Sequence, residues 1–562
     1  MSARARVSSG PRAAAGLALA CAVVLALTIL VTWPQARSLS SAFAAHVDSY
    51  FSTWRLMWIA HALRSDPRHL FDTNVFHPAT GSLAFSDATL LQGLLAAPFL
   101  MAGVSPILVY NLLLLLGFAS SGLAMFVLVR HLTQRTGPAI VAATVFVMAP
   151  YRIEHFMHLE LQWTMFIPLT YWAIHRSFEE RSWSFGLMSG LCIWLQFLSC
   201  IYYGVFLSMT VALLVPLLML RSPRDGARAL PALLAGGLVA MLLTVPYALP
   251  YVENAQRLGD RDVEQVLQYS AEPLNYMATS HENRLWGWTS ERFGSSERRA
   301  FPGMVALLVA LGAFVSRSRR QAWVYAALAI FAVEMSLGLH GTVYAWLFEH
   351  VGGLRGLRAP ARFAILAQCA LAVLAGLGAR ELQDRLSGRG PLAAAAAPLV
   401  LTILLAGEYS NRPLDLEPVR PPDPAAPDVY RMIRTLGPGV IIELPMPTLS
   451  TLPGREATYA FWSTAHWNKL VNGYSGYFPH VYAETLNAME TFPDSESLAR
   501  LRRLDVHYIV VHHAFLEDNR REQLLRAMLE DPGLERMGLF RDPVGPATLF
   551  VLRNGGHQTP LR

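Results

Sequence analysis

Four polar clusters interrupt an otherwise apolar sequence, and their residue types suit two tasks: moving a proton and holding an anion. The first is Ala45-His46-Val47-Asp48-Ser49-Tyr50-Phe51-Ser52-Thr53-Trp54-Arg55, followed by Asp66-Pro67-Arg68 and Phe76-His77-Pro78. Asp48 stands just ahead of a helix-like stretch, Tyr50 to Leu63. As its N-cap, the carboxylate would accept backbone N–H groups and feel the positive helix end, both of which favour the ionised form. An ionised carboxylate so placed can act as general base toward a hydroxyl; the plain alternative is a helix cap. The stretch carries an apolar face of Phe51, Trp54, Met57, Trp58 and Leu63, and Trp54 and Trp58 suit the headgroup level of a membrane.

The second cluster runs from Pro150 to Trp163 and holds Arg152, Glu154, His155, His158, Glu160 and Gln162. On one helix, Arg152, His155, His158 and nearly Gln162 would share a face. Arginine supplies a forked, permanently charged donor and histidine a second one, a combination suited to phosphate. Zinc is the rival ligand, without a third fixed donor, and a satisfied interfacial network is the structural alternative. The third cluster is Gly352 to Arg362, where arginines begin an apolar span; a lipid phosphate or simple snorkelling would compensate their charge. The fourth, Asn472 to Pro479, can form an aromatic-lined turn that stacks on a sugar, or only a tight loop.

Of the 562 residues, 53% are hydrophobic and only 15% charged, with mean hydropathy +0.33. That is well below the roughly 25% charge of soluble domains and indicates a multi-pass membrane protein. The net charge of +6 comes from arginines in short loops, which reads as topology and excludes a nucleic-acid surface. The four cysteines, Cys21, Cys192, Cys200 and Cys369, lie in or beside apolar spans without metal-ligand spacing. About eleven spans are expected, at 13–33, 107–129, 138–150, 161–178, 185–200, 203–220, 229–248, 301–315, 323–339, 363–379 and 392–406. The first is read as an uncleaved helix after Arg4, Arg6 and Arg12. The stretch Ala88–Met101, interrupted by Gly93 and Pro98, is read as juxtamembrane or re-entrant. The N-terminus and the basic loops then lie inside. A first loop (34–106), the Tyr151–Glu160 turn, the Cys200-Ile201-Tyr202-Tyr203 junction, a long loop (249–300) and Gly341–Arg362 lie outside. Residues 1–408 form the helical domain. After a proline-rich linker, short β-like runs such as Val440–Leu444 and Tyr508–Val511 mark 409–562 as a soluble α/β domain on the outer face.

With those residues in view, the chain resembles the GT-C superfamily of multi-pass glycosyltransferases, which use polyprenyl-phosphate sugars. It also resembles a family of bacterial multi-pass proteins with a C-terminal soluble domain. The matching residues are Asp48 with Trp54, Trp58 and His61, Asp66-Pro67, Phe76-His77-Pro78, Tyr151-Arg152 with His155, His158 and Gln162-Trp163, Tyr202-Tyr203, Phe301-Pro302-Gly303 and Arg358 to Arg362. The resemblance implies a mainly α, polytopic helix bundle in the bacterial inner membrane, serving the cell envelope. It implies Asp48 as catalytic acid/base, and Arg152, His155, His158, Arg358 and Arg362 facing the donor phosphate. Trp54, Glu160, Gln162, Tyr202 and Tyr203 would contact substrate. The family's first-loop acid usually stands in Gly-Asp-Pro, whereas here it is Val47-Asp48-Ser49. The Asp-x-Asp of metal-using oligosaccharyltransferases is also lacking, so no cofactor is expected and a divalent metal is the less favoured alternative.

The expected reaction is inverting transfer of a sugar from a polyprenyl-phosphate donor, at the outer leaflet, to a hydroxyl of a glycan, lipid or protein. A transporter or flippase would instead carry inverted repeats and broken helices at the bilayer midplane. A non-catalytic membrane assembly protein would use the tail to bind partners.

Overall fold

The computed structural model describes residues 11–419 and 428–553; Arg4, Arg6 and, in the proline-rich linker, Pro421, Pro422, Pro424 and Pro427 lie outside them. The chain divides into two compact units. One comprises 1–39, 111–248 and 260–416, the other 40–110, 249–259 and 417–562. Residues 40–110, expected to belong with the helical domain, thus group with the tail. The reason is local packing: the helix Val47–Ser65 lies against both Leu90–Met101 and the tail helix Glu456–Trp462.

In the first unit, helices occupy all eleven predicted apolar stretches. Seven described helices are long and apolar enough to cross a membrane, among them Pro106–Thr133, Ile201–Arg221 and Pro391–Glu408. The chain is a multi-pass membrane protein. Leu90–Met101, in the second unit, is a helix of only 12 residues with Pro98 inside it, too short to span.

At the centre of the first unit, Ala364–Leu386 is buried without interruption from Ala364 to Ala379. Small residues let its neighbours come close: a Cβ on Gly378 would fall 1.8 Å from the carbonyl oxygen of Val309. A second small-residue seam joins Trp183–Ser199 to Pro223–Leu258. A Cβ on Gly190 would fall 1.9 Å from the Gly236 oxygen, and one on Gly186 would fall 2.4 Å from that of Ala232. Gly190→Leu must push these backbones apart. It is expected to abolish a monodisperse detergent-solubilised peak in size exclusion, whereas Leu191→Ala, on an exposed side chain of the same helix, leaves that peak unchanged.

The tail of the second unit is built on a four-stranded sheet, ordered Val440–Leu444, Val506–His512, Pro546–Leu552, Leu534–Arg541; the first pair is parallel and the others antiparallel. Ile442, Leu444, Val506, Ile509, Val511, Phe550 and Leu552 form its apolar core with Leu498, Leu501 and Met528. Within this sheet runs a buried polar network. His512 sits between Asp542 Oδ2 (2.5 Å) and Glu443 Oε2 (2.7 Å), and the Tyr430 hydroxyl donates to the same Glu443 oxygen at 3.0 Å. Burial opposes the charge on His512, but the hydrogen bonds to Asp542 and Glu443 raise its pKa to about 9. Burial raises that of Glu456 to about 8.

Both groups hold a proton more tightly in the folded protein. The Glu456 contribution is complete below about pH 4.5, that of His512 below about pH 6.5, and each fades as pH rises through its folded value. Raising pH from 7 to 9 is therefore expected to lower the tail's melting temperature by several degrees, in order of magnitude. Glu456→Gln, which keeps the shape of the protonated acid, should shrink that drop. The check is thermal unfolding of the full chain in detergent at both pH values; an equal drop in variant and parent refutes it.

Candidate active site

The helix Val47–Ser65 begins one residue before Asp48. His46, in extended conformation, is its N-cap, and its Nδ1 accepts the Asp48 N–H at 3.2 Å. Asp48 is thus not the cap, as the sequence suggested, but a first-turn acid, where the helix dipole still favours its charge. Its side chain is 15% exposed. Oδ1 accepts the hydroxyl of Tyr474 at 2.7 Å, and Oδ2 lies 3.2 Å from His46 Nδ1. Tyr474 comes from the Asn472–Pro479 turn, and its ring meets Phe51 edge-on at 4.9 Å.

Trp54 and Trp58 are not the interfacial rings their spacing predicts. Trp54 is 1% exposed, stacks on Phe51 at 5.6 Å and donates Nε1–H to Asn74 Oδ1 at 3.3 Å. Trp58 donates to the Leu70 carbonyl at 2.8 Å. The helix is buried on nearly every side, so these tryptophans are core residues. Trp54 packs the floor beneath Asp48's helix and does not stand at the surface where a substrate contact was expected.

In the first unit, the predicted single helix through 150–162 is broken. Pro150–Glu154 ends at His155, and a second turn, Leu159–Gln162, starts after His158. Arg152 and Gln162 hold the break together. The Arg152 guanidinium donates to Thr164 Oγ1 (3.0 Å) and the Gln162 carbonyl (2.8 Å), over the Phe118 ring; Gln162 Nε2 donates to the Arg152 and His155 carbonyls. Arg152 is therefore turned toward the Thr164 hydroxyl and the Gln162 carbonyl. The Gln162 amide nitrogen is likewise taken up by the two carbonyls it braces.

The other cations of the expected set do converge. Arg362 Nη2 lies 2.9 Å from Glu297 Oε2, and its guanidinium covers the Tyr202 ring at 5.1 Å. The Arg358 N–H donates to the Tyr202 hydroxyl at 3.1 Å, and its guanidinium lies 5.1 Å over Tyr269. The Tyr151 and Tyr203 hydroxyls meet at 3.4 Å beside the Arg362 carbonyl. His155 lies 4.5 Å from the Tyr151 ring and 5.6 Å from His158. His155 is fully buried with no hydrogen bond at either ring nitrogen, and burial keeps its pKa well below the ordinary value, so the ring is neutral. Glu160 is buried in the same turn.

Glu297, from the long loop, was not anticipated. Its backbone is left-handed, with φ +67°, which few non-glycine residues adopt. Its N–H donates to Glu154 Oε1 at 3.0 Å, and both oxygens of Glu154 also accept Arg299 Nη1 at 3.1 Å. Burial opposes the Glu297 charge, but Arg362, then His158 and Arg358, outweigh it and hold the pKa at about 2. The one signal in sequence was the charge run Glu297-Arg298-Arg299 just before Phe301-Pro302-Gly303. Among the described residues, no three His, Cys, Asp or Glu side chains group as metal ligands.

Three solved structures resemble this chain. With arabinofuranosyltransferase AftD from Mycobacteria, the TM-score is 0.63 at 12% identity, covering 96% of this chain and 40% of that one. The chain spans about two-fifths of AftD's length. Weaker likenesses are to the oligosaccharyltransferase AglB from Archaeoglobus fulgidus, solved with an inhibitory peptide and a dolichol-phosphate (TM-score 0.45, 14% identity, 89% of this chain and 69% of that), and to ArnT from Cupriavidus metallidurans, solved with undecaprenyl phosphate (0.47, 14%, 97% and 100%). The likeness to AftD is one of fold, a polytopic helical one. No curated protein matches the sequence significantly. The model of the family described as a domain of unknown function, DUF6311, matches residues 61–405, more than half of the chain, so the chain belongs to the DUF6311 family.

Proposed function

We propose that this is a membrane glycosyltransferase that moves a pentose or hexose from a polyprenyl-phosphate donor to an acceptor hydroxyl at the outer leaflet, with inversion. The observation that most supports this reading is the Glu297 cluster. Arg362, Arg358 and His158 keep a largely buried carboxylate ionised down to about pH 2, so the same groups can stabilise the phosphate of a donor. Arg358 and Arg362 bind that phosphate, with His155 and His158 as further donors and Tyr202, Tyr203 and Glu160 lining the place. Arg152 and Gln162 brace the turn that carries the histidines.

Asp48 takes the proton of the acceptor hydroxyl as its oxygen bonds to the anomeric carbon. The bond from that carbon to the phosphate oxygen breaks, and its electron pair stays on the polyprenyl phosphate, where the arginines stabilise it. Attack opposite the leaving phosphate inverts the centre. The step as written uses no cofactor, and the acceptor is a glycan, lipid or protein of the cell envelope.

The basic loops at Arg221/Arg224/Arg228, Arg317/Arg319/Arg320 and Arg380/Arg385/Arg389 support a cytoplasmic N-terminus in the bacterial inner membrane. They also support a C-terminal domain on the outer face. Single cysteines at 226 and 387, in a cysteine-free background, should resist an impermeant thiol reagent in intact cells, while one at 518 should react; the opposite pattern reverses the orientation. The activity test is purified protein in detergent with labelled polyprenyl-phosphate pentoses and hexoses plus envelope extract. Label should move to an acceptor, with release of polyprenyl phosphate, at an equal rate in excess chelator. Flipping of the donor across vesicles with no transfer would replace the enzyme by a transporter.

A further inference from the structure

The turn that carries Tyr474 is fixed on both sides before it reaches Asp48. The side-chain oxygen of Asn472 accepts the Glu443 N–H at 2.7 Å, and its Nδ2 donates to the Glu443 carbonyl at 2.9 Å. The Gly473 N–H donates to Glu456 Oε2 at 3.1 Å. The Asn472 carbonyl accepts the Phe76 N–H at 3.0 Å, and a Cβ on Gly473 would fall 2.5 Å from the Phe76 ring. With the turn pinned and the ring set edge-on against Phe51, the hydroxyl has one direction to point. It ends 2.7 Å from an oxygen of an acid 426 residues earlier in the chain.

We propose that Tyr474 is a positioning residue for Asp48, so that the C-terminal domain forms part of the catalytic apparatus. The proposal rests on Asp48 being the base. A hydroxyl donated to a carboxylate favours its ionised form and fixes the plane in which its lone pairs lie. The tail thereby sets both the charge and the aim of the base. Among the titratable groups facing this acid are His46 beside it and Tyr474 opposite. Two residues along, Tyr50 donates to Glu417 Oε1 at 2.8 Å with Arg455 close by.

The test compares Tyr474→Phe, Asp48→Asn and the double variant in the full-length protein in detergent, with labelled polyprenyl-phosphate sugar. Tyr474→Phe should lower kcat about 10- to 100-fold, the size expected of one hydrogen bond to a charged group, with donor KM unchanged. The acidic limb of the pH–rate profile should move to higher pH, because the carboxylate has lost a donor. Adding Tyr474→Phe to Asp48→Asn should cost nothing further. Wild-type kcat and an unmoved limb in Tyr474→Phe, with Asp48→Asn inactive, overturn the inference and leave the base in place. A raised acceptor KM with an unmoved limb also overturns it, making Tyr474 an acceptor contact. Full activity of Asp48→Asn removes the base and the inference with it. Should Tyr474→Phe not fold, as judged by its melting curve, fluorotyrosine at 474 keeps the volume and strengthens the donor. The limb should then move to lower pH, and one that stays fixed overturns the proposal.

Discussion

Asp48→Asn is expected to reduce sugar transfer by about 10²- to 10⁴-fold, the usual contribution of a positioned general base, while the protein inserts and melts as before. The amide keeps the carboxylate's shape, and its oxygen can still accept the Tyr474 hydroxyl, so the helix Val47–Ser65 keeps its contacts with the tail. What it loses is the ability to take a proton. Asp48→Glu carries the charge on a longer stem, away from the 2.7 Å contact with Tyr474, and should retain only part of the rate. Initial rates with saturating labelled donor measure both. Transfer by Asp48→Asn at the parent rate, from protein with the parent melting curve, would remove Asp48 from the chemistry.

Arg362→Gln is expected to act twice. It withdraws a phosphate ligand, so the donor KM should rise about 100-fold, a loss consistent with one strong charge-assisted contact in a buried site. It also leaves Glu297 without the partner 2.9 Å away. Removing one member of a buried pair costs about 3–5 kcal/mol. The depressed pKa, a folded value of about 2 against an ordinary 4.5, corresponds to about 3 kcal/mol for Arg362, His158 and Arg358 together. That contribution is present above pH 4.5 and fades as pH falls toward 2. Glu297→Gln added to Arg362→Gln should therefore recover most of the melting temperature without recovering donor KM. If both recover together, the arginine matters for folding and not for the donor.

The apolar spans were legible because the bilayer imposes length and composition on each segment separately, and the sheet strands because runs such as Val440-Ile441-Ile442 announce burial. Tertiary arrangements were not. Trp54 and Trp58 read as an amphipathic face because a single helix cannot reveal what covers its other side; here Asn74, Phe51 and the tail helix Glu456–Trp462 do. Arg152 looked like an anion ligand because the sequence shows its charge and not the carbonyls that absorb it. The type and place of Asp48 are visible in sequence, whereas its hydrogen bond to Tyr474, 426 residues on, is not. Glu297 escaped because it lies in a loop without periodicity, on a backbone angle that carries no residue-level signature.

The seam between Trp183–Ser199 and Pro223–Leu258 has a consequence for how the proposed lipid donor would reach the arginines. Where Gly190 lies against the Gly236 carbonyl, with no room even for a methyl group, no isoprene unit can slide between the two helices. The same holds where Gly378 meets Val309. These two contacts, one at the centre of the bundle and one nearer its face, are shut gates, and the long hydrocarbon tail of the proposed donor would enter by another door.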